Sequence, residues 1–198
     1  MKITESANYI NWNKKATICS AFPCVWDHNN LDVEWTEVIQ TKEVIEGDPW
    51  GIYTTKLKDE LAELHRRWNV SDESVKHYMS IRPNLTNGLE TLLKPYSQYT
   101  HSYSLLKLTA GHMIMWHFDT YATFVKFNNI QEQDADKIKR TAILLTPWSF
   151  GHILQVGGEV FSNWSAGAAF TWNNDTWHGA CNFGKDDMIV MQVTYIDR

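Results

Sequence analysis

From His101 to Tyr195 the chain is cut into short apolar stretches separated by turn residues, and this pattern constrains its fold more than any other feature. Tyr103, Leu105, Lys107 and Thr109 alternate with Ser104, Leu106 and Leu108. Met113-Ile114-Met115-Trp116-His117 has the apolar and aromatic content of a strand, and Tyr121-Ala122-Thr123-Phe124-Val125 reads the same way. Asn128 to Lys139 is polar and predicts an exposed loop, after which Arg140-Thr141-Ala142-Ile143-Leu144-Leu145 opens another strand. Gly157-Gly158 between Gln155-Val156 and Glu159-Val160 is a two-residue hairpin signal, because glycine takes positive φ without steric cost. Ser165-Ala166-Gly167 turns again before Ala168-Ala169-Phe170-Thr171-Trp172, and Met188 to Tyr195 forms the last strand. Short strands at this spacing, with no long helix between them, predict a β-sandwich or jelly roll.

The first hundred residues read differently. Up to about residue 53, scattered Trp residues and the turn signals Pro23 and Gly47-Asp48-Pro49 predict irregular structure with short strands. Leu57, Leu61, Leu64 and Trp68 then recur at helical spacing behind a capping Thr54 or Thr55. A second helix is expected to begin at Ser71, which precedes Asp72 and Glu73, and a third to cover Gly88 to Leu93 and stop near Pro95. The fold class expected is therefore mainly β with N-terminal helices packed on one sheet. With 198 residues and neither repeats nor linkers, the chain is expected to be one domain. Residues 1–100 would form the supporting region and 101–196 the jelly-roll core.

Composition removes several classes of function. At 43% hydrophobic and 21% charged residues the chain has a globular balance, with no run near the roughly 18 apolar residues of a membrane span. The N-terminus lacks the apolar core of a signal peptide, and Cys19, Cys24 and Cys181 make a sparse, odd set, so a reduced cytoplasmic setting is expected. A net charge of −5 with no Lys/Arg block argues against nucleic acid as a partner. Most of the ten Trp residues should be core.

Chemistry enters at His117-Phe118-Asp119. Alternate strand positions share a face, so the imidazole and the carboxylate point the same way. They are two of the three donors of a 2-His-1-carboxylate site, which suits Fe(II) and leaves coordination positions open. His178, in Asn173-Asn174-Asp175-Thr176-Trp177-His178-Gly179-Ala180, is the candidate third donor. His112 faces the other way by parity, and His101 and His152 lack a partner at ligand spacing. A metal-bound imidazole needs an acceptor on its second nitrogen, and Asn173, Asn174 or Asp175 is placed to serve His178. Taken singly, a His and an Asp two apart are more often a surface pair, and a lone His beside Trp177 more often structural. Their combination at strand ends of a β-rich chain is what gives them weight.

Residues 101–196 resemble the double-stranded β-helix core of the Fe(II)/2-oxoglutarate-dependent oxygenases. Within that superfamily the C-terminal part is most similar to the aspartyl/asparaginyl β-hydroxylase group. The resemblance is carried by Arg140-Thr141-Ala142-Ile143-Leu144, His152-Ile153-Leu154-Gln155-Val156-Gly157-Gly158-Glu159, Trp164-Ser165-Ala166-Gly167, Phe170 to His178, and Asn182. It implies Fe(II) held by His117, Asp119 and His178. It also implies 2-oxoglutarate chelating that iron, its distal carboxylate on a basic residue, and O2 in the remaining position. The implied reaction hydroxylates a C–H bond of a peptidyl side chain or a small amino-acid-like molecule, releasing succinate and CO2. The chain departs from the family where an Arg commonly follows the distal His, since Gly184-Lys185-Asp186-Asp187-Met188 has none. Arg140, on a strand facing the site, is the first choice for the cosubstrate carboxylate and Lys185 the second, because an Arg fork matches a carboxylate. A cupin-like metalloenzyme without 2-oxoglutarate, and a non-catalytic binding module on the same fold, remain the alternatives.

Overall fold

Met188-Ile189-Val190-Met191-Gln192-Val193-Thr194-Tyr195-Ile196 is apolar at nearly every position, so a strand made of it must be covered on both faces. The computed structural model describes residues 16–19, 21–24, 26–27, 31–39, 59, 63, 66–67, 71–86, 88–117, 119 and 121–196. In it, β11 (Met188–Ile196) lies between β4 (Thr100–Leu108) and β6 (Ile138–Leu144), antiparallel to both. The larger sheet is completed by β1 (Thr17–Cys19), β2 (Thr36–Ile39), β3 (Lys76–Ile81) and β9 (Ala169–Asn173), in the order β1-β9-β6-β11-β4-β3-β2. The smaller sheet comprises β5 (Met113–His117), β7 (His152–Val156), β8 (Glu159–Phe161) and β10 (His178–Asn182), in the order β5-β10-β7-β8. From β4 onward the chain crosses between the two sheets at every step except the β7–β8 hairpin. The eight strands β4–β11 are therefore a double-stranded β-helix, the jelly roll of cupin-like proteins, with β1, β2 and β3 extending one sheet.

The pleat sends alternate residues of β11 into two different cores. Met188 and Val190 face the second sheet and pack with Leu106, Leu108, Ala142, Leu144, Leu154, Val156 and Phe170. Ile189, Met191 and Val193 face outward under Trp26, Leu89, Leu92 and Tyr96. Full burial of side chains of this size contributes about 1.5–3 kcal/mol each, so the two cores together fix β11 from both sides. The buried indoles are anchored as well: Trp26 Nε1 donates to the Leu145 carbonyl at 2.9 Å and Trp164 Nε1 to Thr146 at 3.2 Å.

One end of the roll, away from His178, is closed by a fully bonded polar cluster. His152, 1% exposed, accepts from the Ser149 amide at Nδ1 and bonds the Asp186 carbonyl through Nε2 at 2.8 Å. Buried Asn182 donates to the carbonyls of Leu108 and Asp186 and accepts from the Gly184 amide. Gly151 has φ +96, and a Cβ there would lie 2.2 Å from the Gly184 nitrogen, so the two backbones meet only because neither residue carries a side chain.

Several expected elements differ. The stretch 121–125 is not a strand but the start of a helix, Ala122–Phe127. Tyr121, Phe124 and Val125 stand at helical spacing, and they pack with Ile130, Ile138 and Ile196. The helix expected from Ser71 is replaced by a turn, in which the Ser74 amide and hydroxyl both donate to the Ser71 carbonyl, followed by β3. Ser side chains compete with helical hydrogen bonding in this way. The third helix is a 3-10 helix, Leu89–Tyr96, which runs three residues past Leu93 and ends next to Pro95. The expected loop 128–139 contains a 3-10 helix, Glu132–Lys137, and β6 already begins at Ile138. Residues 59, 63, 66 and 67 are helical, and the rest of the predicted helix 54–68 falls outside the described residues, as do Gly47-Asp48-Pro49. No helix among the described residues is long and apolar enough to cross a membrane.

Candidate metal centre

Two strands of the smaller sheet bring the first pair of donors together. His117 ends β5 and His178 begins β10, and the antiparallel register sets them directly opposite. The ladder shifts between them: His178 pairs His117, whereas Ala180 pairs Ile114. β5 thus carries one more residue than β10 over this interval, a bulge, and bulges re-aim side chains next to sites. Gly179 accommodates it, since a Cβ there would lie 3.0 Å from the Ile114 carbonyl oxygen and 3.3 Å from the Trp116 nitrogen. The extra residue also breaks the parity count by which His112 and His117 were expected to oppose each other. His112 bonds Thr109 Oγ1 through Nδ1 at 2.6 Å.

Asp119 follows β5, and two residues later Tyr121 adopts a left-handed conformation (φ 51, ψ 17) that turns the chain into the helix. A bulky residue in that region carries a strain of about 1–3 kcal/mol, which the surroundings must impose. Asp119 itself lies beside the histidines. Its Oδ1 lies 3.9 Å from His117 Nε2 and its Oδ2 3.4 Å from His178 Nε2, and the three ligand atoms fall within 4.8 Å of one another. The imidazole rings stand 4.4 Å apart at 51°.

Each histidine is held in the form a metal requires. His117 Nδ1 bonds the Met115 carbonyl at 2.7 Å and His178 Nδ1 bonds that of Thr176 at 3.0 Å. A carbonyl only accepts, so Nδ1 carries a proton in each ring, and Nε2 is the nitrogen turned to the cluster. The acceptors are backbone carbonyls two residues upstream, not Asn173, Asn174 or Asp175; the Asn174 amide instead donates to the Ala135 carbonyl. Burial, reinforced by His117, pushes His178 down to about 3, so its imidazole is neutral at ordinary pH. Burial alone would push the Asp119 carboxyl up, but Arg140, His178 and His117 together bring it below its usual value. Two imidazole nitrogens and one ionised carboxylate are a donor set that fits Fe(II). His178 Nε2 is buried with no hydrogen bond among the described residues, an orphan that a metal would satisfy.

Arg140 joins this cluster from β6. It shares a pleat face with Ala142 and Leu144, so it points between the sheets. Its Nη1 lies 3.2 Å from Asp119 Oδ2 and donates to Gln192 Oε1 at 3.1 Å, and its guanidinium lies 5.0 Å from the centre of the Tyr121 ring. Lys185 is not brought here. It is exposed, in the turn that joins the far ends of β10 and β11.

Sequence reasoning singled out none of Tyr121, Trp172, Gln192 or His77. Trp172 is 3% exposed, directly opposite Arg140 on β9, with its ring 4.7 Å from that of His178. His77 is buried on β3, and burial together with the nearby His117 pushes it down to about 4. The parity of Trp172 with Phe170 was readable in the sequence, but nothing local marked either residue as part of a site.

Comparison with known proteins finds distant structural likeness only. No family model matches the sequence, and no curated protein matches it. Similar solved structures include a prolyl-4-hydroxylase from Pseudomonas putida, 11% identical over 84% of this chain and 94% of that one, with a TM-score of 0.48. A 2OG-Fe(II) oxygenase family oxidoreductase from Burkholderia pseudomallei is 13% identical over 61% and 66% of the two chains, with a TM-score of 0.40. KdgF from Halomonas sp. is 15% identical over 62% and 80%, with a TM-score of 0.38. At these scores none of them decides a reaction. The functional case rests on the cluster in this chain: His117, Asp119 and His178 at the mouth of a double-stranded β-helix, with Arg140 against the carboxylate.

Proposed function

We propose that the chain is a 2-oxoglutarate-dependent non-haem iron dioxygenase that hydroxylates a C–H bond of a peptidyl side chain or a small amino-acid-like molecule. The observation that carries the reading is the pair of imidazoles whose Nδ1 protons are committed to backbone carbonyls, leaving both Nε2 atoms turned toward one ionised carboxylate. His117, Asp119 and His178 would hold the iron, and three facial ligands leave room for a chelating cosubstrate and O2. When bound, iron and 2-oxoglutarate together supply the oxidising chemistry that converts O2 and a C–H bond into an alcohol, with succinate and CO2 released.

The chain's own residues do the rest. Arg140 offers a fixed positive charge beside Asp119, suited to a carboxylate of the cosubstrate. Leu106, Ala142, Leu144, Leu154, Val156 and Val190 line the space between the sheets with apolar surface, which keeps water from the centre. The same apolar wall, with Lys185 exposed at the far end, favours the second reading: a cupin-like metalloenzyme that does not use 2-oxoglutarate.

Anaerobic titration of metal-free protein with Fe(II), then 2-oxoglutarate, separates the two. The dioxygenase reading expects a visible metal-to-ligand charge-transfer band that is absent from His117→Ala. Iron binding without that band moves the reading to the cupin-like enzyme, and no iron binding removes both.

A further inference from the structure

Three buried hydrogen-bond donors beside the metal ligands make no hydrogen bond of ordinary geometry among the described residues: Tyr121 Oη, which faces the Asp119 carboxylate, Arg140 Nε and Trp172 Nε1. Three other indoles of the fold are satisfied. The indoles of Trp26, Trp148 and Trp164 each donate to a backbone carbonyl, at 2.9, 2.8 and 3.2 Å. An unpaired buried donor is destabilising, and buried donors in folded proteins are nearly always satisfied. The three also belong to one place. Trp172 is the cross-strand partner of Arg140, the Tyr121 ring lies 5.0 Å from the Arg140 guanidinium, and the Trp172 ring lies 4.7 Å from His178. Tyr121 is held there by a left-handed backbone that its bulk disfavours.

We propose that Tyr121 and Trp172 complete, with Arg140, a receptor for a carboxylate of the metal-bound ligand. This rests on the dioxygenase reading for the identity of that ligand, and it assigns roles to two residues which that reading does not use. The chemistry selects the ligand class. All three groups present N–H or O–H, and the guanidinium is cationic. Such a set recognises an oxygen-rich anion and rejects an amine. Charge agrees: a divalent ion and Arg140 against the single carboxylate of Asp119 leave an excess of positive charge that an anionic ligand offsets. Tyr121 and Trp172 are binding residues in this scheme and take no proton from the substrate.

The test is calorimetric titration of Mn(II)-loaded protein with 2-oxoglutarate and, separately, with oxalate, for the wild type, Tyr121→Phe and Trp172→Phe. Both substitutions keep an aromatic ring, and Mn(II) affinity and thermal midpoint are measured alongside. Loss of one hydrogen bond to a charged acceptor is expected to weaken anion binding about 10- to 100-fold while Mn(II) affinity stays unchanged. Wild-type anion affinity in both variants overturns the inference and leaves the dioxygenase reading standing. Loss of Mn(II) affinity in the variants also overturns it, since the residues would then act by holding Asp119. If the wild type takes oxalate but not 2-oxoglutarate, and the variants lose oxalate, the receptor stands and the dioxygenase reading falls. If the wild type takes neither anion, both fall.

Discussion

The two ends of the roll each gather histidine, an acid and an amide or guanidinium, yet they are built on opposite terms. At the far end His152 uses both ring nitrogens, Asn182 makes three bonds, and the Ser149 hydroxyl bonds Asp186 Oδ2 at 2.6 Å. At the near end His178 Nε2, Tyr121 Oη, Arg140 Nε and Trp172 Nε1 are buried with no hydrogen bond of ordinary geometry among the described residues. A satisfied polar cluster rigidifies a fold, whereas an unsatisfied one holds interactions in reserve for a ligand. The difference teaches where to look: residue types alone would rank the two ends equally, and hydrogen-bond bookkeeping separates them.

Substitutions sharpen the contrast, and the largest effect is expected at a ligand. His117→Ala should lower Fe(II) affinity by more than the roughly 10- to 100-fold that changes around a metal's ligands produce, and leave metal-free stability nearly untouched. Isothermal titration and denaturant unfolding read the two quantities; a large loss of stability with metal affinity intact would invert the assignment of the ends. Asn182→Ala should do the reverse, costing about 2–4 kcal/mol of stability by leaving the Gly184 amide without its acceptor and removing a donor from the Leu108 and Asp186 carbonyls, with metal affinity preserved. Arg140→Ala should weaken 2-oxoglutarate binding about 10- to 100-fold, and Arg140→Lys should restore only part of it because a point charge does not replace a fork. Unchanged affinity in Arg140→Ala removes the residue from that role.

A further effect is a pH slope. His178 and His77 have folded values near 3 and 4, below the ordinary 6.5, so the unfolded chain binds protons first as pH falls. Metal-free stability should therefore be complete above about pH 6.5 and decline below it by roughly 1.4 kcal/mol per pH unit for each group, until pH reaches the folded values. Replacing His77 with Asn should remove about half the slope, and a slope of unchanged size would show that burial of these rings does not control acid stability.

The roll was legible because its strands announce themselves: Gly157-Gly158 marks the β7–β8 hairpin, and β11 alternates between two apolar faces. His117, Asp119 and His178 stood out as donor types, and the topology places them within reach of one another. What the chain did not reveal depends on contacts far apart in sequence. Tyr121-Ala122-Thr123-Phe124-Val125 satisfies both alternation and helical spacing, and packing against Ile138 and Ile196 selects the helix. The acceptors on both histidines are carbonyls, which no side-chain pattern can display. Trp172 reads as core from its neighbours, and only its unpaired indole nitrogen distinguishes it from Trp26 and Trp164.

The bulge in β5 ties two distant positions of the chain to a shared history. Its extra residue lies over Gly179, and the lack of a side chain there is what lets the longer strand fit. A descendant that lost that extra residue would still pair His117 with His178 on a regular ladder, and would be free to place a larger residue at 179. One that kept it could not. Strand length at 114–117 and residue size at 179 are therefore bound to change together, and a survey of relatives should find the long strand only where glycine stands opposite it.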